Sequence, residues 1–239
     1  MEGVMHGIPM LEIGAGTGSL TLALLQEGAD LTAIEIDPDL VTVLRSREDL
    51  ARAQIVEADA LTFDYRAWSR GQPWHAAGNL PYNVGTAVLL RLIEMDNGPR
   101  SLTVMVQKDV AERLVAAPGS AAYGSLSVAV QYAMHVEPGL TLSPGSFFPM
   151  PRVESRVVRL VRRSAPAVRV RDLTMFWKVV RGAFAYRRKT LANTLALALD
   201  IDRAKIARAL ESSNLSAELR GERLDLGDFA RLADALAKE

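Results

Sequence analysis

Asn79-Leu80-Pro81-Tyr82 is a tetrad that sets a side-chain amide and backbone acceptors beside an aromatic face. Such groups can hold a planar exocyclic amine and aim its nitrogen. Methyl transfer to an aromatic amine needs no strong base. The lone pair is delocalised into the ring, so the amine is a poor nucleophile. Acceptors that take both N–H groups favour a pyramidal nitrogen whose lone pair points outward. Asn79 Oδ1 and the Leu80 carbonyl suit that task, Tyr82 can stack on the base, and positioning then carries most of the rate. The plain alternative is a structural β–α turn, since Asn- and Pro-rich segments often serve only as that.

The tetrad gains meaning from Glu12-Ile13-Gly14-Ala15-Gly16-Thr17-Gly18 upstream. A strand ending in Gly14-x-Gly16-x-Gly18 lets the chain turn sharply and brings bare backbone close to a ligand. A dinucleotide fingerprint would need glycine where this chain has Ser19. The spacing, with the acidic Glu12 two residues before it, fits S-adenosylmethionine better. Glu35 falls at the expected end of the second strand, where a carboxylate can accept from both ribose hydroxyls of any bound nucleotide. Asp37, just before Pro38, is the better helix cap of the two. Asp59, after the third strand, either accepts from the cofactor's adenine amino group or is a plain turn residue.

A base inside a helix cannot reach such a pocket and must be unstacked or flipped first. Phe147, in Gly145-Ser146-Phe147-Phe148-Pro149, is the candidate for the opposite stacking face. His6, His75 and His135 lack ligand-like spacing, and no metal is expected. There is no Gly-x-Ser-x-Gly elbow and no Walker lysine motif.

The first half must position these residues, and it alternates short apolar runs with helical stretches, as a parallel α/β sheet does. Strands are expected over 9–13, 31–36, 54–57, a segment ending at 75–78, and 102–107. The helices between and after them fall at 19–26, 38–46, 86–95 and 109–116. Beyond Pro118-Gly119-Ser120, residues 126–132 read as helix and 137–151, with four prolines, as a loop-rich stretch. Residues 153–161 alternate as one half of an antiparallel closing pair. Ser164-Ala165-Pro166 reads as a linker. From Asp172 on the pattern is helical: Phe176, Val179, Val180, Ala183 and Phe184 recur at helical spacing, and further helices are expected at 191–199, 202–211 and 227–237. The division is therefore a Rossmann-like α/β domain over 1–163 and a small all-helical domain over 164–239.

At 239 residues there is ample chain for both. The content is 49% hydrophobic and 23% charged, with no apolar run near the roughly 18–20 uncharged residues of a membrane span. With 0 cysteines, disulfides and Cys-ligated zinc are excluded. The first residues lack a signal peptide's basic head and apolar run, and a cytoplasmic site is the simplest reading. A net charge of +0 conceals a division: Arg152 to Lys189 holds 12 Lys/Arg against Glu154 and Asp172. A basic block interrupted by aromatics, following an acidic cofactor domain, favours a polyanionic partner over a merely solvated face.

With these segments in view the chain resembles the KsgA family, the bacterial small-subunit rRNA adenine-N6,N6-dimethyltransferases. The likeness runs from about Pro9 to near the C-terminus. It is carried by residues 11–18 and 78–83, and by Gln107-Lys108-Asp109-Val110-Ala111-Glu112-Arg113-Leu114. Tyr123-Gly124-Ser125-Leu126-Ser127-Val128, residues 147–155, and Phe184-Ala185-Tyr186-Arg187-Arg188-Lys189-Thr190-Leu191 complete it. The resemblance implies transfer of four methyls from S-adenosylmethionine, two to each of two adjacent adenosines near the 3′ end of small-subunit rRNA. It implies action on a 30S assembly intermediate by a monomer. Family roles fall on Gly14, Glu35, Asp59 and Asn79 for cofactor, and on Asn79, Leu80, Tyr82 and Phe147 for the target adenine. Arg187, Arg188 and Lys189 match the RNA-facing cluster, which would make binding salt-sensitive. Family members begin with some thirty more residues, including a Gln-x-Phe-Leu segment over the cofactor's methionine end. Here Met1 stands just before the first strand, and weak cofactor binding is expected. Two other readings share these motifs: a large-subunit rRNA adenine methyltransferase of the antibiotic-resistance type, and a non-catalytic assembly factor that keeps the RNA surface.

Overall fold

A computed structural model describes residues 7–81, 84–147, 150, 152–186 and 188–237. Among the described residues, seven strands form one sheet in the order β3-β2-β1-β4-β5-β7-β6. β1 (Pro9–Ile13), β2 (Asp30–Glu35), β3 (Gln54–Glu57), β4 (His75–Asn79) and β5 (Ser101–Gln107) are mutually parallel. β7 (Ser155–Arg162) runs antiparallel to β5, with Gln107 opposite Ser155, so the closing pair expected over 153–161 is present. The parallel strands are covered on both faces, which is why Leu11, Ile13, Ala33, Ile34, Ala76, Leu102 and Val104 are all buried. α1 (Ser19–Gln26) and α2 (Pro38–Ser46) occupy the expected residues. Asp37 caps α2, accepting from the Asp39 and Leu40 N–H groups at 2.9 and 3.4 Å.

β6 (Met134–Leu142) corrects the loop-rich reading of 137–151. Its reason is local. β6 is an edge strand, the place in a sheet where a proline such as Pro138 is tolerated. A Cβ on Gly139 would stand 2.8 Å from the Val157 carbonyl oxygen, so bare backbone is what lets β7 approach. A five-residue helix, α3 (Tyr65–Ser69), also escaped the periodicity; Asp64 caps it through the Ala67 N–H at 2.9 Å. α4 (Gly85–Glu94) and α5 (Lys108–Val115) each begin one residue before their expected starts.

The chain divides into two compact units, 1–111 with 135–162, and 112–134 with 163–239. Residues 112–134, expected in the first domain, therefore group with the later helices. The cause is aromatic packing: on α6 (Ser125–Ala133), Tyr132 lies 4.9 Å from Phe176 and 5.2 Å from Trp177, ring centre to ring centre. Tyr123 also donates its hydroxyl to the Leu224 carbonyl at 2.8 Å. The remainder of this unit is α7 (Leu173–Ala183), α8 (Leu191–Leu199), α9 (Arg203–Ser212) and α10 (Leu226–Leu236), around Phe176, Leu195, Ile206, Leu210 and Phe229. Among the described residues no helix is long and apolar enough to cross a membrane.

Candidate active site

In this strand order the connections leave β1 toward β2 on one side and β4 lies on the other, so a crevice opens beyond the carboxyl ends of β1 and β4. The sequence-derived candidates of the first unit gather along that edge. β1 ends in Glu12-Ile13 and turns through Gly14 (φ 73°), Gly16 (φ 57°) and Gly18 (φ 87°), left-handed conformations that only glycine adopts without strain. Gly18 is doubly required, because a Cβ there would lie 2.7 Å from Leu50 and 2.9 Å from Leu44 side-chain carbons. A Cβ on Gly16 would meet nothing within 4 Å, so the loop presents open backbone at its middle. One on Gly14 would stand 3.8 Å from both the Asn79 carbonyl oxygen and Pro81 Cδ. The glycine turn and the Asn79–Pro81 segment are thus neighbours in space.

β4 reaches this place by close backbone packing. A Cβ on Gly78 would fall 2.5 Å from the Ile13 carbonyl oxygen, so glycine is what seats β4 against β1. Asn79 pairs with Met105 of β5 and its side chain is exposed at the strand end. Leu80 is buried, with its N–H donated to the Met105 carbonyl at 3.2 Å. The Pro81 carbonyl accepts from Gly85 N–H at 2.8 Å and launches α4. Tyr82, the expected stacking residue, lies outside the described residues, as do Phe148 and Pro149.

Two acids with contrasting surroundings stand at the strand ends. Glu35 is 8% exposed, and three backbone N–H groups occupy its carboxylate. Gly16 donates to Oε2 at 2.8 Å, and Ile36 and Asp37 donate to Oε1 at 2.8 and 3.1 Å. The expected free ribose acceptor is therefore first a clamp on the glycine turn, with about one of its four lone-pair sites left over. Glu12 is 1% exposed, and its Oε2 has no hydrogen-bond partner. Burial, with the Glu35 carboxylate adding to it, pushes the Glu12 carboxyl up to about 7.

Ile36, missed in the sequence, is 63% exposed directly after Glu35. An apolar residue that a strand end leaves exposed is a ready face for a flat ring; its one signal in the sequence is its position between Glu35 and Asp37. Asp59 follows β3. Its Oδ1 accepts from Leu61 N–H at 2.8 Å, and its carbonyl accepts from Thr62 and Phe63 at 3.0 and 2.8 Å. Asp59 is thus a turn residue in the structure, half-buried, with a second carboxylate oxygen still available in principle to a ligand.

Phe147 is half-buried after the turn at Pro144–Ser146 and precedes β7. Because Ser155 pairs with Gln107 at the carboxyl end of β5, the chain carrying Phe147 enters at the same edge. Lys108 fastens that entry, its N–H donating to the Glu154 carbonyl at 3.0 Å and its Nζ lying 2.7 Å from the Glu154 carboxylate. The basic cluster belongs to the second unit. Arg188 and Lys189 are exposed in the turn between α7 and α8, beside Tyr186 at 45% exposure; Arg187 lies outside the described residues. Not every cation of the basic block faces outward. Arg162 is turned inward and donates to the Leu92, Ile93 and Pro99 carbonyls, closing the end of α4.

A family model described as ribosomal RNA adenine dimethylase matches residues 4–238. The ribosomal RNA small subunit methyltransferase A of Hahella chejuensis is 40% identical over 227 residues, 94% of this chain and 81% of that one. Its namesake from Pseudomonas aeruginosa is 41% identical over 235 residues, covering 98% and 85%. Among solved structures, a dimethyladenosine transferase from Plasmodium falciparum superposes with a TM-score of 0.73 at 24% identity, covering 94% of this chain and 90% of that one. The 23S rRNA methyltransferase ErmE gives 0.64 at 24% identity, covering 96% and 91%. At that identity the two structures speak for the fold alone.

Proposed function

The chain belongs to the ribosomal RNA adenine dimethylase family, and from that premise we propose that it dimethylates the N6 amino groups of two adjacent adenosines near the 3′ end of small-subunit rRNA. The observation that carries the reading is the juxtaposition of the Gly14 turn with Asn79 and Pro81 at the β1–β4 crevice. When bound, S-adenosylmethionine supplies an electrophilic methyl on a positively charged sulfur. The residues fit that group: open backbone at Gly16, a lone-pair site left on Glu35, the exposed face of Ile36 for the adenine, and Asp59 for its amino group.

Asn79 Oδ1 and the Leu80 carbonyl then accept from the target amine and orient its lone pair, with Tyr82 and Phe147 as stacking faces. In each transfer the amine nitrogen forms the new N–C bond as the S–C bond breaks, and one proton leaves the nitrogen for solvent. The first product keeps one N–H, so one acceptor suffices to orient it for the second transfer. No residue of the site has to serve as a strong base, which agrees with the apolar and amide character of the segment.

Arg188 and Lys189, with Arg187, bind RNA phosphate, and the substrate is the RNA within a 30S assembly intermediate, met by a monomer in the cytoplasm. The large-subunit reading is not favoured, because the relatives near 40% identity bear the small-subunit name. Separated small and large subunits from a strain lacking the modification, each incubated with the protein and labelled S-adenosylmethionine, test the proposal. N6,N6-dimethyladenosine at two neighbouring positions of small-subunit rRNA is expected on nucleoside mass analysis. Label in large-subunit rRNA would overturn the substrate; binding without any label would favour the non-catalytic reading.

A further inference from the structure

Arg91, on α4, has no place among the expected site residues, yet its side chain makes two directed contacts. Its Nη1 donates to the Ala60 carbonyl and its Nη2 to the Phe63 carbonyl, each at 2.8 Å. Its guanidinium carbon stands 4.9 Å from the centre of the Tyr65 ring. Tyr65 donates its own hydroxyl to the same Ala60 carbonyl at 2.7 Å. Burial pushes the Tyr65 phenol up to about 12, so it remains a donor at any working pH. The segment held in this way is the turn that begins at Asp59. The other end of α4 grows out of the Pro81 carbonyl, nearly three turns earlier. One rigid helix therefore touches the target-adenine segment at its start and the Asp59 turn at Arg91.

We propose that Arg91 is a positioning residue: it fixes the Asp59 turn to α4, and so sets the adenine half of the cofactor against the Asn79 segment. The inference rests on the reading of Asp59 as an acceptor for the cofactor's adenine amino group. A planar fork suits the job, since it spans two carbonyls three residues apart, and lysine offers only a point charge to one of them. Hydrogen bonds from a charged donor to part-buried carbonyls are also the stronger kind. Arg91 touches no reacting atom, so its loss should act on cofactor binding and leave the transfer step largely intact.

The test is calorimetric, on the full chain and the variants Arg91→Lys and Arg91→Met. The two ligands are S-adenosylhomocysteine and S-inosylhomocysteine, which carries an oxo group in place of the adenine amine. Roughly tenfold weaker binding of S-adenosylhomocysteine is expected for Arg91→Met, about 1.4 kcal/mol, with Arg91→Lys between it and the parent. The inosyl ligand should bind parent and variant alike, because the contact that Arg91 organises is already missing. Equal weakening for both ligands would reduce Arg91 to a general support and overturn the inference, as would unchanged binding of S-adenosylhomocysteine. If Arg91→Met does not fold, Arg91→Lys carries the same two-ligand comparison. A parent that binds the adenosyl and inosyl compounds equally well would instead refute the Asp59 reading itself.

Discussion

The carboxyl edge of the sheet and the turn between α7 and α8 are both candidate ligand surfaces, and they are built on opposite principles. At the sheet edge the charges are spent internally. Glu35 is occupied by three N–H groups, Glu12 is buried without a partner for Oε2, and what is left for a ligand is glycine backbone, the exposed Asn79 and Ile36, and one Asp59 oxygen. At the helical turn the exposed features among the described residues are the side chains of Tyr186, Arg188 and Lys189. The first surface can recognise by shape and direction, which is what an aligned methyl transfer requires. The second can attract a polyanion but can align nothing closely. Affinity for RNA and chemistry on its base should therefore be separable.

The sharpest separation is at Asn79. Replacing Asn79 by Ala should lower single-turnover methylation on the order of 10²–10³-fold, by analogy with the loss of one preorganised polar partner, while RNA binding by filter retention stays within twofold or so of the parent. If both fall together, the two surfaces are not distinct. Gly78→Ala probes how the edge is built. Its Cβ would collide with the Ile13 carbonyl oxygen at 2.5 Å, and a loss of about 3 kcal/mol in urea unfolding is expected.

Glu12 gives a pH test of the same edge. The unfolded chain releases this proton near 4.5 and the folded chain near 7, so the folded state holds the extra proton between those values. The stabilisation is full below pH 4.5 and is lost as pH rises through 7, by about 3 kcal/mol at most. Glu12→Gln should flatten that slope in chemical denaturation between pH 5 and 8. A slope unchanged by the substitution would mean that Glu12 ionises normally. The smallest effect is expected at the other surface: Arg188→Ala with Lys189→Ala should reduce the salt slope of RNA binding by about one to two units and leave the rate on saturating substrate unchanged.

Much of this was legible in the chain. The glycine turn, Asn79 and the five parallel strands are marked by spacing and by short apolar runs, because a buried parallel strand has little choice of residue. The edge strand β6 was not legible: Pro138 and Gly139 read as loop, and only the position at the sheet margin makes them tolerable. The grouping of residues 112–134 with the later helices was not legible either, because Tyr132, Phe176 and Trp177 are far apart in sequence and meet only in three dimensions. The clamp from Gly16 to Glu35 was hidden for another reason, since a backbone N–H leaves no trace in sequence. Arg91 looks like the solvent side of an amphipathic helix until the carbonyls of Ala60 and Phe63 are seen beneath it.

A crystal structure with S-adenosylhomocysteine bound reads the central claim most directly. The ligand sulfur should rest between Gly14 and the Asn79–Pro81 segment, with its ribose at Glu35 and its adenine against Ile36. Electron density for the ligand away from the β1–β4 crevice, with that crevice filled by solvent, would contradict the account.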